Sequence, residues 1–256
     1  MDVKGEGPPL VLVHGVATSR SIWRHVVPGL AERHLVATPD MPGFGDSPPI
    51  GRGFVLEDVA DALADALAAL PAPVDLLGNS LGGAVAIVLA ERRPDLVRRL
   101  ILAAPAGLAP HRAPIPAIAG RVSATVVAAR RRVAPRLVGN ASARRVLLYG
   151  LLTDPAAISA EEARATIAAS RGAKRVAPAV AVVAAADLRS RLPELTMPVG
   201  FLWGDRDHLF PVDTLEELRP LVPAAPAEVI PGAGHVPQLD RPGEFVAAVD
   251  RLLDQM

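Results

Sequence analysis

Short apolar runs alternate along the chain with stretches of helical periodicity, and this alternation constrains the fold more than any other feature. The run Leu10-Val11-Leu12-Val13 is apolar at every position. Such a run suits a strand covered on both faces, as in a parallel sheet, better than one with a solvated side. Residues 34–38, 74–77, 100–103, 199–203 and 228–230 are further strand candidates of similar length. Between residues 54 and 70, Leu56, Val59, Leu63, Leu67 and Leu70 recur at helical spacing, while Glu57, Asp58, Asp61 and Asp65 fill the other side. That segment is an amphipathic helix on a sheet face. Parallel neighbours need crossover connections, which helices supply, so the pattern predicts an α/β fold with a mainly parallel sheet flanked by helices.

Residues 109–195 break the rhythm. They hold helical stretches rich in Ala, Val and Arg, several Pro and no convincing strand. They read as a helical insertion between two sheet strands, with Pro105-Ala106-Gly107 and Leu195-Thr196-Met197-Pro198 as hinges.

Composition removes whole classes of function. A chain of 256 residues is one large domain with a substantial core. Lys+Arg and Asp+Glu are 27 each, so no basic excess is available to hold a phosphate backbone, and nucleic acid is not expected. The absence of Cys excludes disulfides, thiolate metal sites and cysteine nucleophiles. Half the residues are hydrophobic, yet the longest apolar runs, such as residues 176–186, are near half of the ~20 residues a membrane span requires. The N-terminus, Met1-Asp2-Val3-Lys4-Gly5, lacks the layout of a secretory signal, and a cytoplasmic location is the default expectation. All but two of the 27 basic residues are arginine, a composition bias carried throughout the chain. The neutral total also hides a polarity: residues 109–195 hold 14 Lys+Arg against 5 Asp+Glu, leaving 13 against 22 elsewhere.

The third strand candidate runs into Gly78-Asn79-Ser80-Leu81-Gly82-Gly83, followed by a helix-like run over residues 84–91. This is G-x-S-x-G between a strand and a helix. The flanking glycines permit a strained turn that lifts the Ser80 hydroxyl above the sheet. The helix N-terminus adds positive partial charge, and the Leu81 N–H is aimed to donate to a developing oxyanion. A serine hydroxyl needs a base, and the base needs an orienting carboxylate. Among six histidines, His235 in Gly232-Ala233-Gly234-His235 follows the last strand candidate, on the edge where ligand sites form. His14, His25, His34, His111 and His208 read as structural or surface residues. The carboxylate lies in Trp203-Gly204-Asp205-Arg206-Asp207, after the penultimate strand. The order serine, aspartate, histidine is that of one hydrolase architecture.

On these motifs the chain resembles the α/β-hydrolase superfamily, specifically its single-domain serine hydrolases with a helical lid, over nearly its whole length. His14-Gly15-Val16 looks like the first oxyanion loop, and Asp40-Met41-Pro42-Gly43-Phe44-Gly45-Asp46-Ser47 looks like the second conserved turn. The resemblance implies a core of residues 1–108 and 196–256 with a lid of residues 109–195. It implies an oxyanion hole from the Val16 and Leu81 backbone N–H groups. It places the acid three residues after the glycine and four before a proline, matching Gly204, Asp207 and Pro211. The family begins with two further strands, whereas nine residues precede Leu10 here, so those strands are lost or the start is truncated. Ser80 sets the chain apart from dehalogenases and epoxide hydrolases of the family, which carry aspartate there. Carbon–carbon bond hydrolases use Ser, and Asn79 is similar to theirs, but their glycine-rich oxyanion loop and the tryptophan after the histidine are missing; Val236-Pro237 follows His235.

The expected reaction is acyl transfer through Ser80, Asp207 and His235, with no metal or cofactor required. The apolar lid composition points to a small hydrophobic ester. Carrier-linked ester or thioester hydrolysis, carbon–carbon bond cleavage and perhydrolysis are alternatives on the same triad, and a non-catalytic ligand-binding module is the reading from another class. The basic lid clusters Arg130-Arg131-Arg132, Arg144-Arg145 and Lys174-Arg175 are expected to attract an anionic group, such as a substrate carboxylate or phosphate, an acidic carrier protein or an anionic lipid surface, or else to pair with the acidic core.

Overall fold

Each of the six strand candidates forms a strand, and a seventh strand joins them at one edge. The computed structural model describes residues 1–108, 118–149, 151–170 and 172–256. Among these, β1 (Asp2–Lys4), β2 (Pro9–Val13), β3 (Leu35–Thr38), β4 (Val74–Asn79), β5 (Val97–Ala103), β6 (Val199–Gly204) and β7 (Ala227–Ile230) form one sheet in the order β1-β3-β2-β4-β5-β6-β7. Only β1 runs antiparallel, with Val3 opposite Ala37. The other pairs are parallel, and Leu76 of β4 lies between Val11 of β2 and Leu100 of β5. All three residues of β1 are exposed, and it has no apolar run.

Continuous hydrophobicity has the cause the sequence suggests. Leu10 and Leu12 pack on one face with Trp23, Phe245 and Leu252, whereas Val11 and Val13 pack on the other with Leu63, Leu67 and Val85. The faces are covered by helices α1 (Val27–Leu30), α2 (Leu56–Leu67), α3 (Leu81–Arg92), α8 (Thr214–Leu218), α9 (Pro237–Asp240) and α10 (Pro242–Gln255), and α4 to α7 belong to the insertion. Helix α2 keeps its acidic side in water, as its pattern requires. Helix α3 is buried from Leu81 to Ala90, consistent with apolar residues all round. Phe245 of α10 meets Trp23 at 6.0 Å between ring centroids. β5 begins earlier than its apolar run because Arg98 and Arg99 both pair with Asp75, a fully buried carboxylate on β4. Burial pushes the Asp75 carboxyl up, and the two guanidinium groups outweigh that, holding it below the usual range.

Between β5 and β6 the insertion supplies α4 (Ile118–Leu137), α5 (Ala141–Leu147), α6 (Ala160–Ala168) and α7 (Val176–Ala185). The expected lid start at Ala109, and His111, lie outside the described residues. Asn140 and Ser159 cap α5 and α6 by accepting from Ala143 N and Glu162 N at 3.1 and 3.0 Å. The insertion has a small core of its own around Ala134, Val138, Leu148 and Ala163. Its base is closed by a Leu188 N–H bond to Gly107 O at 2.9 Å. Arg189 pairs with Glu217, and Arg191 with Glu57 and Glu91. Part of the insertion's positive charge is therefore matched by the acidic core. Among the described residues no helix is long and apolar enough to cross a membrane.

Candidate active site

Parallel strands deliver their C-terminal ends to one edge, and the loops there carry the chemistry. Ser80, between β4 and α3, adopts φ 57 and ψ −120. For a residue with a side chain this conformation costs about 1–3 kcal/mol and persists only if its surroundings enforce it. They do so through four backbone bonds. Ser80 N–H donates to Ala103 O at 3.1 Å, and Ser80 O accepts from Gly83 N, Ala84 N and Ala106 N at 2.9, 3.2 and 2.9 Å. The glycines of G-x-S-x-G are sterically required. A Cβ on Gly78 would lie 2.3 Å from Gly82 O, and one on Gly82 would lie 2.2 Å from Val13 O.

The loop after β2 lies against this turn. A Cβ on Gly15 would meet Ser80 Cβ at 3.2 Å. Gly15 O accepts two bonds at 2.8 Å, from His14 Nδ1 and from the Thr18 hydroxyl. His14 Nε2 accepts from Met41 N at 3.1 Å, which fixes the proton on Nδ1. In a trans peptide the carbonyl and the next N–H point opposite ways, so anchoring Gly15 O also aims the Val16 N–H. Among the described residues neither the Val16 nor the Leu81 N–H donates a hydrogen bond within the chain. Burial pushes His14 down to about 4, keeping it neutral. The loop is tied to the second turn through Arg20, whose guanidinium reaches Asp40, Asp46 and Asp2. Burial raises the Asp40 carboxyl, but bonds from Arg20 N and Asp46 N at 2.7 and 3.0 Å help bring it below its ordinary value.

His235 follows β7, and its Nδ1 donates to Asp207 Oδ2 at 2.8 Å. The other Asp207 oxygen accepts from Leu209 N and Phe210 N at 2.8 and 2.9 Å. Asp205 faces elsewhere and accepts from Gly232 N at 2.7 Å. The Phe210 ring meets the imidazole edge-on at 5.0 Å. Gly204 admits the histidine loop, since a Cβ there would lie 2.3 Å from Ala233 O.

Ser80 and His235 are brought to the same edge through Asn79, whose side-chain amide donates to Ala103 O and His235 O at 3.0 and 3.2 Å. Gln238 in turn donates to Asn79 Oδ1 at 3.1 Å. Among the described residues no hydrogen bond joins the Ser80 and His235 side chains. Asn79 is thus a buried hub, a role no local pattern announces. His25 pairs with Glu162 and His34 with Asp250, both away from Ser80.

The insertion reaches this edge through Thr153. Its N–H and hydroxyl donate to the two oxygens of Asp240 on α9 at 2.9 and 3.0 Å, and Gly234 N donates to Asp240 Oδ2 at 2.8 Å. Members of the basic clusters serve as braces. Arg144 caps the carbonyls of Val138, Gly139 and Ala156, Arg130 bonds Tyr149 O, and Arg175 bonds Gly51 O. Among the described residues no group of three His, Asp or Glu side chains could hold a metal ion.

Comparison with known proteins places these features in context. The family described as alpha/beta hydrolase fold matches residues 8–242. A pimeloyl-acyl-carrier-protein methyl ester esterase of Aeromonas hydrophila subsp. hydrophila is 32% identical over 263 residues, covering 97% of this chain and 96% of the relative. A solved thermophilic esterase from Thermogutta terrifontis, with malate bound, superposes with a TM-score of 0.76 at 27% identity over 99% of this chain and 92% of its own. A meta-cleavage product hydrolase from Pseudomonas fluorescens IP01 shares the fold, with a TM-score of 0.77 at 23% identity over 99% of this chain and 93% of its own.

Proposed function

The chain belongs to the alpha/beta hydrolase family and is a hydrolase, and from that premise we propose that it is a serine esterase acting through Ser80, His235 and Asp207. The observation that carries this reading is the 2.8 Å bond between Asp207 and His235 beside a serine in a strained strand-to-helix turn. In this account Ser80 Oγ attacks the ester carbonyl carbon while His235 Nε2 takes the hydroxyl proton. Asp207 keeps Nδ1 protonated and stabilises the imidazolium. The oxygen of the tetrahedral intermediate accepts from the Val16 and Leu81 N–H groups, with the N-terminus of α3 adding positive partial charge. His235 then gives its proton to the leaving oxygen and an acyl-Ser80 remains. Water, deprotonated by His235, attacks that acyl group, releases the acid and restores Ser80. Residues 109–195 act as a lid over a core of residues 1–108 and 196–256, and its apolar side chains favour a hydrophobic acyl or alcohol group.

A second reading concerns the substrate. The relatives named for a carrier-protein-linked methyl ester, together with 14 Lys+Arg against 5 Asp+Glu in residues 109–195, favour an ester carried on an acidic carrier protein. Turnover of a chromogenic short-chain ester tests the main reading, with loss on Ser80→Ala expected and activity retained in that variant contradicting it. Comparing one methyl ester free and carrier-attached tests the second, and equal kcat/KM for both forms would contradict it.

A further inference from the structure

The insertion, the histidine loop and the loop after β6 border an open cavity of about 210 Å³ that touches His235 but is not lined by Ser80, Val16 or Leu81. One wall, including Leu152, Thr153 and Pro155, comes from the insertion and is pinned beside His235 by the Asp240 bonds. Arg145, from α5 of the insertion, and Arg206, from the loop after β6, line it together with His208. All three are exposed. Among the described residues neither guanidinium forms an ion pair or a hydrogen bond. Asp154 also lines the cavity, and its carboxylate is turned to Ala156 N at 3.2 Å. Two free planar cations therefore face a preformed space with one carboxylate opposing them, an arrangement suited to binding a planar or tetrahedral oxyanion group through paired N–H donors.

The position of the cavity gives the direction of the substrate. Resting on the triad reading above, His235 must deliver a proton to the leaving oxygen, so the alcohol part of the ester departs on the imidazole side. The cavity borders that imidazole. We propose that Arg145 and Arg206, with His208 as a further N–H donor, form a subsite for a carboxylate or phosphate on the alcohol half of the substrate. The space suits a short arm, being below the ~300 Å³ at which pockets for whole drug-sized ligands begin. Leu151, Leu152 and Pro155 would cover the methylene groups of that arm.

The test uses four esters: 4-butyryloxybutanoate, 4-butyryloxybutyl phosphate, the uncharged 4-butyryloxybutanamide, and monomethyl adipate, whose charge lies on the acyl half. The readout is the kcat/KM ratio of each anionic ester to the amide in the wild type and in the Arg145→Gln, Arg206→Gln and double variants. Both groups are exposed, so a drop in the ratio of about threefold for each single variant and about tenfold for the double, carried by KM, is expected for the alcohol-side anions. The larger of the two drops identifies the anion as carboxylate or phosphate. An unchanged ratio would overturn the subsite, and an equal drop for monomethyl adipate would overturn its assignment to the alcohol half. Calorimetric binding of 4-butyryloxybutanoate to Ser80→Ala reads the subsite without turnover: weakening of about tenfold on adding both Gln substitutions supports it, and undiminished binding refutes it. Failure of the wild type to hydrolyse even the amide ester would instead count against the triad reading.

Discussion

His14 couples the pH dependence of stability to the loop that carries Val16. Its side chain is fully buried, donates from Nδ1 to Gly15 O and accepts at Nε2 from Met41 N. A proton added at Nε2 would set two N–H groups against each other. Burial accordingly lowers the pKa from 6.5 to about 4, the Gly15 carbonyl opposing this only in part. Below pH 6.5 the unfolded chain binds a proton that the folded chain refuses, so the contribution is complete above 6.5 and is lost as pH falls toward 4. A separation of that size corresponds to about 3 kcal/mol. Other groups titrate across the same range, so the informative quantity is a difference. Urea unfolding of the wild type and of His14→Gln at about pH 7.5 and about pH 4 gives the stability gap at each pH. The gap should shrink by about 3 kcal/mol on acidification, because only the wild type carries this histidine. A gap constant across the range would refute the assignment of a buried neutral His14.

Three other perturbations follow from the geometry. Asp207→Asn should lower kcat by about 10⁴-fold while Asp205→Asn, which weakens a charge-assisted bond from Gly232 N, should at most lower Tm slightly; steady-state kinetics below both transitions compare them, and a larger kcat loss in the Asp205 variant would reverse the roles. Gly82→Ala would place a Cβ 2.2 Å from Val13 O, so the turn must move and the protein should be recovered unfolded or without ester turnover, as circular dichroism and activity would show. Asp75→Asn leaves Arg98 and Arg99 facing a neutral amide, and because Arg98 can turn to water the loss should be about 3 kcal/mol, at the lower end for a broken buried pair, read by urea unfolding.

Much of the architecture is legible in the sequence because a strand buried on both faces is apolar along most of its length: 10–13 and 100–103 are apolar throughout, and 74–77 is broken only by Asp75, whose charge Arg98 and Arg99 match. The edge strand at Asp2–Lys4 has no such requirement, since its side chains are solvated and its pairing uses only the backbone. Ser80 stands out because the turn that strains it excludes side chains at Gly78 and Gly82. The choice between Asp205 and Asp207 rests in the sequence on resemblance, whereas the fold directs one carboxylate to Gly232 N and the other to the imidazole. Asn79, Gln238, Asp240 and Asp75 give no signal of their own, as their partners are brought together only by the tertiary fold. Gln238 and Asn79, for instance, are 159 positions apart. The Arg145 and Arg206 pair is hidden for the same reason, in a chain where arginine is common throughout.

The central claim is that Ser80 is the covalent nucleophile. Treatment of the folded protein with a fluorophosphonate, followed by digestion and mass spectrometry, tests it directly, because the reagent phosphonylates a serine only where a base and an oxyanion site already act on it. The account predicts a single adduct on Ser80, absent from Ser80→Ala and strongly reduced in His235→Ala. An adduct on Ser47 or another serine, or labelling that persists in Ser80→Ala, would contradict it.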